Sequence, residues 1–217
     1  MHSIVLYGAG SPVIVDAQET CRRAGLTVAA VVRNFDGEVC SMGPDPVIDP
    51  GALTPELLAL SFSIPLFSPA HRKFAWEQAQ GLGATRFEPL IDPTAVQPGS
   101  LQVGAGVYIN SGVCIGGMSR FGNFVFVNRG ASLGHHLVAE DFASIGPGVV
   151  TAGGVTIGRG AVIGAGSVLF PGVRVGANAV VSGGSVVSRD VPANTLVAGN
   201  PAKVVKERVA GYQGKGV

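Results

Sequence analysis

The sequence predicts two parts, an α/β domain over residues 1–90 and a parallel β-helix over 91–205, followed by a short tail, 206–217. Three observations carry this expectation. Strand-like and helix-like segments alternate up to about residue 90. From residue 103 an aliphatic side chain recurs at every sixth position. Glycine makes up 33 of the 217 residues without a Gly-X-Y repeat, which points to many tight turns.

In chain order, Ser3–Tyr7 (SIVLY) reads as a short apolar strand, followed by a Gly8-Ala9-Gly10 turn and an amphipathic helix through Arg23. Residues 26–33 form a second buried strand. A polar, proline-rich loop then runs to Pro50, ahead of a short helix over 54–60 capped by Thr54 before Pro55. Residues 61–67 read as a third strand and 71–80 as a second substantial helix. Such alternation implies a small parallel sheet with helices on its faces. The first turn lacks the third glycine of a dinucleotide fingerprint, Val13 standing in its place, which argues against a dehydrogenase. It can still present backbone N–H groups to a phosphate at the helix N-terminus.

The second half follows a period of six. Val103, Ile109, Ile115, Phe121, Val127, Leu133, Ala139, Ile145, Thr151, Ile157, Ile163, Leu169, Val175, Val181 and Val187 are in phase, with Thr151 the one non-apolar member. A glycine often follows the anchor, and small or branched residues such as Ala131, Ala143 and Ala161 recur four positions after it. Neither a helix nor an ordinary strand has this period. A parallel β-helix does, burying one aliphatic side chain per hexad on its axis. Three hexads complete a coil, so residues eighteen apart stack at roughly strand spacing, about 4.8 Å.

Hydrophobic residues make up 47% and charged residues 13%, which excludes a disordered chain. No apolar run approaches a membrane-spanning length of about 18–20 residues. The net charge of +1, without a basic block, makes nucleic acid an unsuited partner. Cys21, Cys40 and Cys114 are too scattered for a disulfide framework or a metal knuckle. The opening MHSIVLYGAG lacks the basic start and cleavage site of an export signal, so a cytoplasmic protein is expected.

Stacking by eighteen brings His135 next to Gly153. An imidazole beside an accessible backbone N–H can serve acyl transfer, one deprotonating a nucleophile and the other holding an oxyanion. The residues by themselves also admit a second reading, in which His135 and His136 decorate a turn. Asn110 and Asn128, also eighteen apart, suit a left-handed corner, and Asn128 is a candidate acceptor contact. Phe124 occupies a turn position and reads as an outward subunit contact. The only other histidines, His2 and His71, lie outside the repeat, so no metal site is expected.

The segment VNRGASLGHHLVAEDFASIGPG, residues 127–148, and the closing VAGNPAKVV, residues 197–205, resemble the hexapeptide-repeat acyltransferases. Within these the resemblance is to the sialic-acid O-acetyltransferase-like and nucleotide-amino-sugar N-acetyltransferases. It implies a left-handed β-helix behind a Rossmann-like, nucleotide-sugar-binding domain. It further implies a homotrimer using acetyl-CoA, no metal, and a small-molecule sugar acceptor. His135 matches the family's catalytic base and Gly153 its oxyanion amide. Coenzyme contacts fall at Ser144, Gly153, Ala165, Pro171, Gly183 and Lys203, and acceptor contacts at Gly8, Gly10, Ser11, Pro12, Arg33, Asn34, Ser68 and Asn128. Lys206 and Arg208 read as coenzyme contacts or as a solvated tail.

The chain departs from the pattern in several places. His136 replaces the acidic residue that orients the base, and Ser144 stands where many relatives have a histidine. Gly10-Ser11-Pro12, Arg33-Asn34 and Phe67-Ser68-Pro69 rewrite the nucleotide-recognition loops. An N-acetyltransferase acting on a nucleotide-linked amino sugar is the leading expectation. O-transfer and a non-catalytic β-helix scaffold are the alternatives.

Overall fold

The computed structural model describes residues 2–35 and 38–217. The loop expected up to Pro50 therefore includes two positions, 36 and 37, outside the described residues. The first domain holds four parallel strands, β1 (Ser3–Tyr7), β2 (Thr27–Val32), β3 (Val47–Ile48) and β4 (Ser61–Ser63), in the order β3-β2-β1-β4. Its helices are α1 (Val13–Arg23), α2 (Pro55–Leu58) and α3 (Pro69–Gly81). The Thr54 hydroxyl caps α2 by accepting from the Leu57 N–H. The expected third strand over 61–67 stops at Ser63, because Ile64–Phe67 leaves the sheet. β3 was not foreseen. Its two residues pair with Val31 and Val32 at the sheet edge.

From Leu90–Ile91 onward, two-residue strands alternate with turns and stack into three parallel faces. Register steps by eighteen up to Val187, as in Phe126 against Ser144 and Ser144 against Val162, and by sixteen in the last coil, where Val180 pairs with Leu196. The anchors from Ile109 to Val187 are buried, and so are the residues two before them, including Val125, Leu137, Val149 and Val155. Both sets point to the axis and form one continuous core. Each fully buried Val, Ile or Leu contributes about 1.5–3 kcal/mol relative to exposure.

The left-handed backbone position of each turn lies three residues after the anchor, at Gly112, Gly130 and Gly154, and also at Met118, Phe124, His136 and Phe142. Asn110 and Asn128 are therefore not the left-handed residues. They form a bonded pair instead, Asn110 Nδ2 donating to Asn128 Oδ1 at 3.1 Å.

The α/β domain covers one face of the prism, whose outward residues are Tyr108, Phe126 and Ser144. Phe124 is 3% exposed, stacked on Phe142 and packed against Trp76 of α3. The expected outward subunit contact is thus an internal one, because α3 covers that corner. Three polar ties fix the domain in place. Asp16 of α1 accepts from Asn110 and Arg129. Asp92 is fully buried and accepts from Thr20 and Arg23, with Arg23 Nη2 at 2.6 Å. Burial pushes the Asp92 carboxyl up, but hydrogen bonds from Arg23, Thr94 and Thr20 outweigh it and hold it at about 2.

The third tie is Arg72, 1% exposed and with no acidic partner among the described residues. Its guanidinium donates to the carbonyls of Phe124 (2.8 Å), Phe142 (2.7 Å), Ala143, Leu66 and Phe67, and to Ser144 Oγ (2.9 Å). Burial lowers its pKa to about 9, so it remains a cation at neutral pH. Carbonyl oxygens from both parts of the chain solvate that charge.

Candidate active site

His135 and Gly153 meet at one corner of the prism. The ring lies so close over the glycine that a Cβ built there would fall 2.4 Å from Cε1 and 2.5 Å from Nε2. Any side chain at this position would displace the ring. Among the described residues the Gly153 N–H donates to no carbonyl, whereas its neighbour Gly154 donates to His135 O at 2.8 Å. The Gly153 amide and the His135 ring thus sit at the same corner, with Pro171 exposed in the coil beyond.

His136 occupies the left-handed turn position, φ 57°, at a cost of about 1 kcal/mol relative to glycine. That backbone brings its Nδ1 to 2.9 Å from Nδ1 of His135, with the rings nearly perpendicular. One of these nitrogens must donate and the other accept. When His135 donates, its Nε2 keeps a lone pair and is a competent base. When His136 donates, His135 carries its proton on Nε2 and is not.

A cavity of about 900 Å³ runs along a different corner. It is lined by Asn128, Pro147, Ala165 and Gly183 and closed by Lys206, Arg208 and Tyr212. A second cavity of about 790 Å³ opens at the C-terminal end of the sheet, lined by Gly10, Ser11, Pro12, Asn34 and Ser68. Phe67, Tyr212 and Gln213 line both. The Tyr212 ring meets Phe67 edge-on at 5.8 Å and forms the wall between them.

Several expected residues fall elsewhere. Ser144 is fully buried, donating to the Phe67 carbonyl at 2.7 Å and accepting from Arg72, so it offers no surface to a coenzyme. Gly8 lies under Leu66, and its positive φ of 130° serves the turn. Arg33 pairs with Asp49 at 2.8 Å and is absent from the lining of the second cavity. Asn128 faces the first cavity rather than the second. Lys203 sits exposed in the closing hairpin of Leu196–Gly199 and Ala202–Lys206, while Lys206 and Arg208 line the groove. Phe35, Phe74, His71 and Lys215 line the second cavity and were not foreseen. Their signal in the sequence, bulky or basic residues in loops and tail, is too common to single them out.

The family described as Bacterial transferase hexapeptide (six repeats) matches residues 140–171. Among solved structures, a variant of perosamine N-acetyltransferase from Caulobacter crescentus, in complex with CoA and GDP-perosamine, is 30% identical. That match covers 95% of this chain and 98% of the other, with a TM-score of 0.85. The acetyltransferase domain of PglB from Neisseria gonorrhoeae FA1090, in complex with acetyl coenzyme A, is 28% identical over 94% of this chain and 99% of that one, with a TM-score of 0.83. WeeI from Acinetobacter baumannii AYE, 19% identical over 94% and 100% with a TM-score of 0.74, shares the fold. A comparison with curated protein sequences finds no match. Among the described residues no helix is long and apolar enough to cross a membrane. With 30% identity to such an enzyme across nearly its whole length, and the hexapeptide family matched on its own repeats, the chain belongs to the hexapeptide-repeat acyltransferases, whose repeats coil into a left-handed β-helix.

Proposed function

We propose that the protein transfers the acetyl group of acetyl-CoA to the amino group of a nucleotide-linked amino sugar, with His135 as general base. The observation that carries the reading is the His135 ring laid on Gly153 beside an N–H without an acceptor. The acceptor nitrogen attacks the thioester carbonyl carbon, forming the C–N bond. His135 Nε2 takes the proton released from nitrogen. The Gly153 N–H donates to the carbonyl oxygen as charge develops on it. When the C–S bond breaks, the imidazolium returns the proton to sulfur and the free thiol leaves.

Residues 1–90 hold the acceptor in this reading and 91–205 transfer the acyl group. The strand order 3-2-1-4 is that of the first half of a doubly wound, nucleotide-binding sheet, which supports a Rossmann-like domain. Lys206 and Arg208 suit the phosphates of the coenzyme in the first cavity. Two relatives support the substrates, one solved with CoA and a GDP-linked amino sugar and one with acetyl coenzyme A.

The site is shared between subunits of a cytoplasmic homotrimer. Within one chain the His135 corner and the Pro147–Ala165–Gly183 corner flank the same prism face and point away from each other. That face turns Cys114, Ser132, Val150, Val168 and Val186 outward, with Val150 45% exposed, a surface suited to burial against a second copy. His135 of one subunit then completes the groove of the next.

Thiol release from acetyl-CoA across a panel of nucleotide-linked amino and hydroxy sugars tests the reading. Turnover with one acceptor, lost at least a hundredfold in His135→Ala, supports it. Turnover unchanged in that variant removes His135 as base, and coenzyme binding without turnover on any acceptor rejects the sugar assignment.

A further inference from the structure

The second cavity has a cationic edge supplied from outside the α/β domain. Lys215 belongs to the segment beyond the closing hairpin, yet its Nζ lies 3.0 Å from Nε2 of His71 in α3, and both line the cavity opposite the start of α1. Among the described residues Lys215 makes no ion pair, and no carboxylate lines the cavity. Phe35 and Phe74 stand on the rim, 49% and 61% exposed. In the wall, Asn34 Oδ1 and Ser68 Oγ are buried without a hydrogen-bond partner among the described residues, Ser68 being 9% exposed.

These features specify a ligand. Exposed rings present flat apolar faces on which a base can stack. Buried orphan oxygens call for hydroxyl or amide partners. An ammonium with no ion pair among the described residues, opposite a helix N-terminus, calls for an anion. Burial, and then the nearby lysine, lower the pKa of His71, so a neutral imidazole accepts from Nζ and aims it. The segment carrying Lys215 is itself held: Tyr212 packs on Phe67, and the Val217 N–H donates to Asn178 Oδ1 at 3.1 Å. Lys215 is thus an ordered charge rather than a waving one, which lowers the entropy lost on binding.

We propose that Lys215 binds the phosphates of the acceptor's nucleotide, with His71 positioning its ammonium and Phe35 and Phe74 gripping the base. This rests on the reading of the acceptor as nucleotide-linked. It adds that recognition depends on the C-terminal segment, whose Tyr212 and Gln213 also border the coenzyme groove.

Calorimetric titration of the full chain with GDP, UDP and dTDP, and with the corresponding nucleosides, tests the assignment. For the diphosphate that binds the wild type, Lys215→Ala weakens affinity about tenfold and Lys215→Arg holds it within about threefold. The matching nucleoside binds wild type and Lys215→Ala equally, while Phe74→Ala weakens nucleoside and diphosphate alike. Equal diphosphate affinity in Lys215→Ala overturns the proposal and leaves the nucleotide-linked acceptor standing, as does an equal loss for nucleoside and diphosphate. Wild type that binds none of the three diphosphates overturns both.

Discussion

At position 136 an imidazole stands where the family resemblance implies a carboxylate, and in the proposed reading that changes the chemistry available to His135. A carboxylate holds its neighbour's Nδ1–H in one tautomer and offsets the charge of the imidazolium. His136, at 2.9 Å, can accept the same hydrogen but brings no negative charge, and its own N–H can reverse the bond. His136→Glu is expected to raise kcat severalfold, and His136→Ala to lower it about tenfold, both read in the thiol-release assay. A base weakened this way suits an amine, which is a nucleophile before it loses its proton. Rates on amino and hydroxy versions of one acceptor should favour the amine, and a preference for the alcohol would sink that argument. Gly153→Ala drives a methyl into the His135 ring. A loss of about a hundredfold in kcat is expected, with coenzyme affinity retained in a binding titration. The His135–Gly153 stack was legible because eighteen-residue spacing is imposed by the coil. The tautomer problem was not, since it depends on a left-handed turn that orients one ring toward the other.

Elements are joined by a few buried polar ties, and these set stability. Arg72→Ala removes a donor shared by five carbonyls and Ser144, of which Ala143 and Phe67 keep a second one, and is expected to cost about 3 kcal/mol or more, measured by denaturant unfolding. Asp92 adds a pH dependence. Its carboxyl is held at about 2 in the folded chain, below the ordinary carboxylate value, so its contribution is present above about pH 4 and lost as pH falls through 2. Wild type should lose about 2 kcal/mol more than Asp92→Asn across that window, and parallel unfolding curves would contradict it. The six-residue period assigned every anchor to the core, because inward direction follows from sequence position alone. It could not say which outward side chains another domain would cover. Phe124 reads as an outward subunit contact for that reason, and it lies beneath α3, as Ser144, which the resemblance made a coenzyme contact, lies beneath the loop before α3.

The His135–Gly153 corner and the groove at Pro147, Ala165 and Gly183 lie on opposite edges of one prism face, and in the proposed reading they are the catalytic corner and the coenzyme groove. Coenzyme contacts at Ala165 and Gly183 were implied by the family resemblance, and both residues line the groove. For residues 206–217 the sequence left Lys206 and Arg208 open between groove and solvent and did not single out Tyr212, because folding back over the prism depends on contacts distant in sequence, such as Tyr212 on Phe67. Two edges that cannot meet within a chain must meet between chains if the site is to work. The most direct test is subunit complementation. His135→Ala keeps its groove and lacks the base, whereas Ala165→Trp keeps the base and blocks the groove, so each alone should be inactive. Co-expressed in equal amounts and purified as mixed trimers and homotrimers together, they should regain about a quarter of wild-type thiol release, since each mixed trimer holds one intact site. Activity no higher than either variant alone would contradict a site shared between subunits.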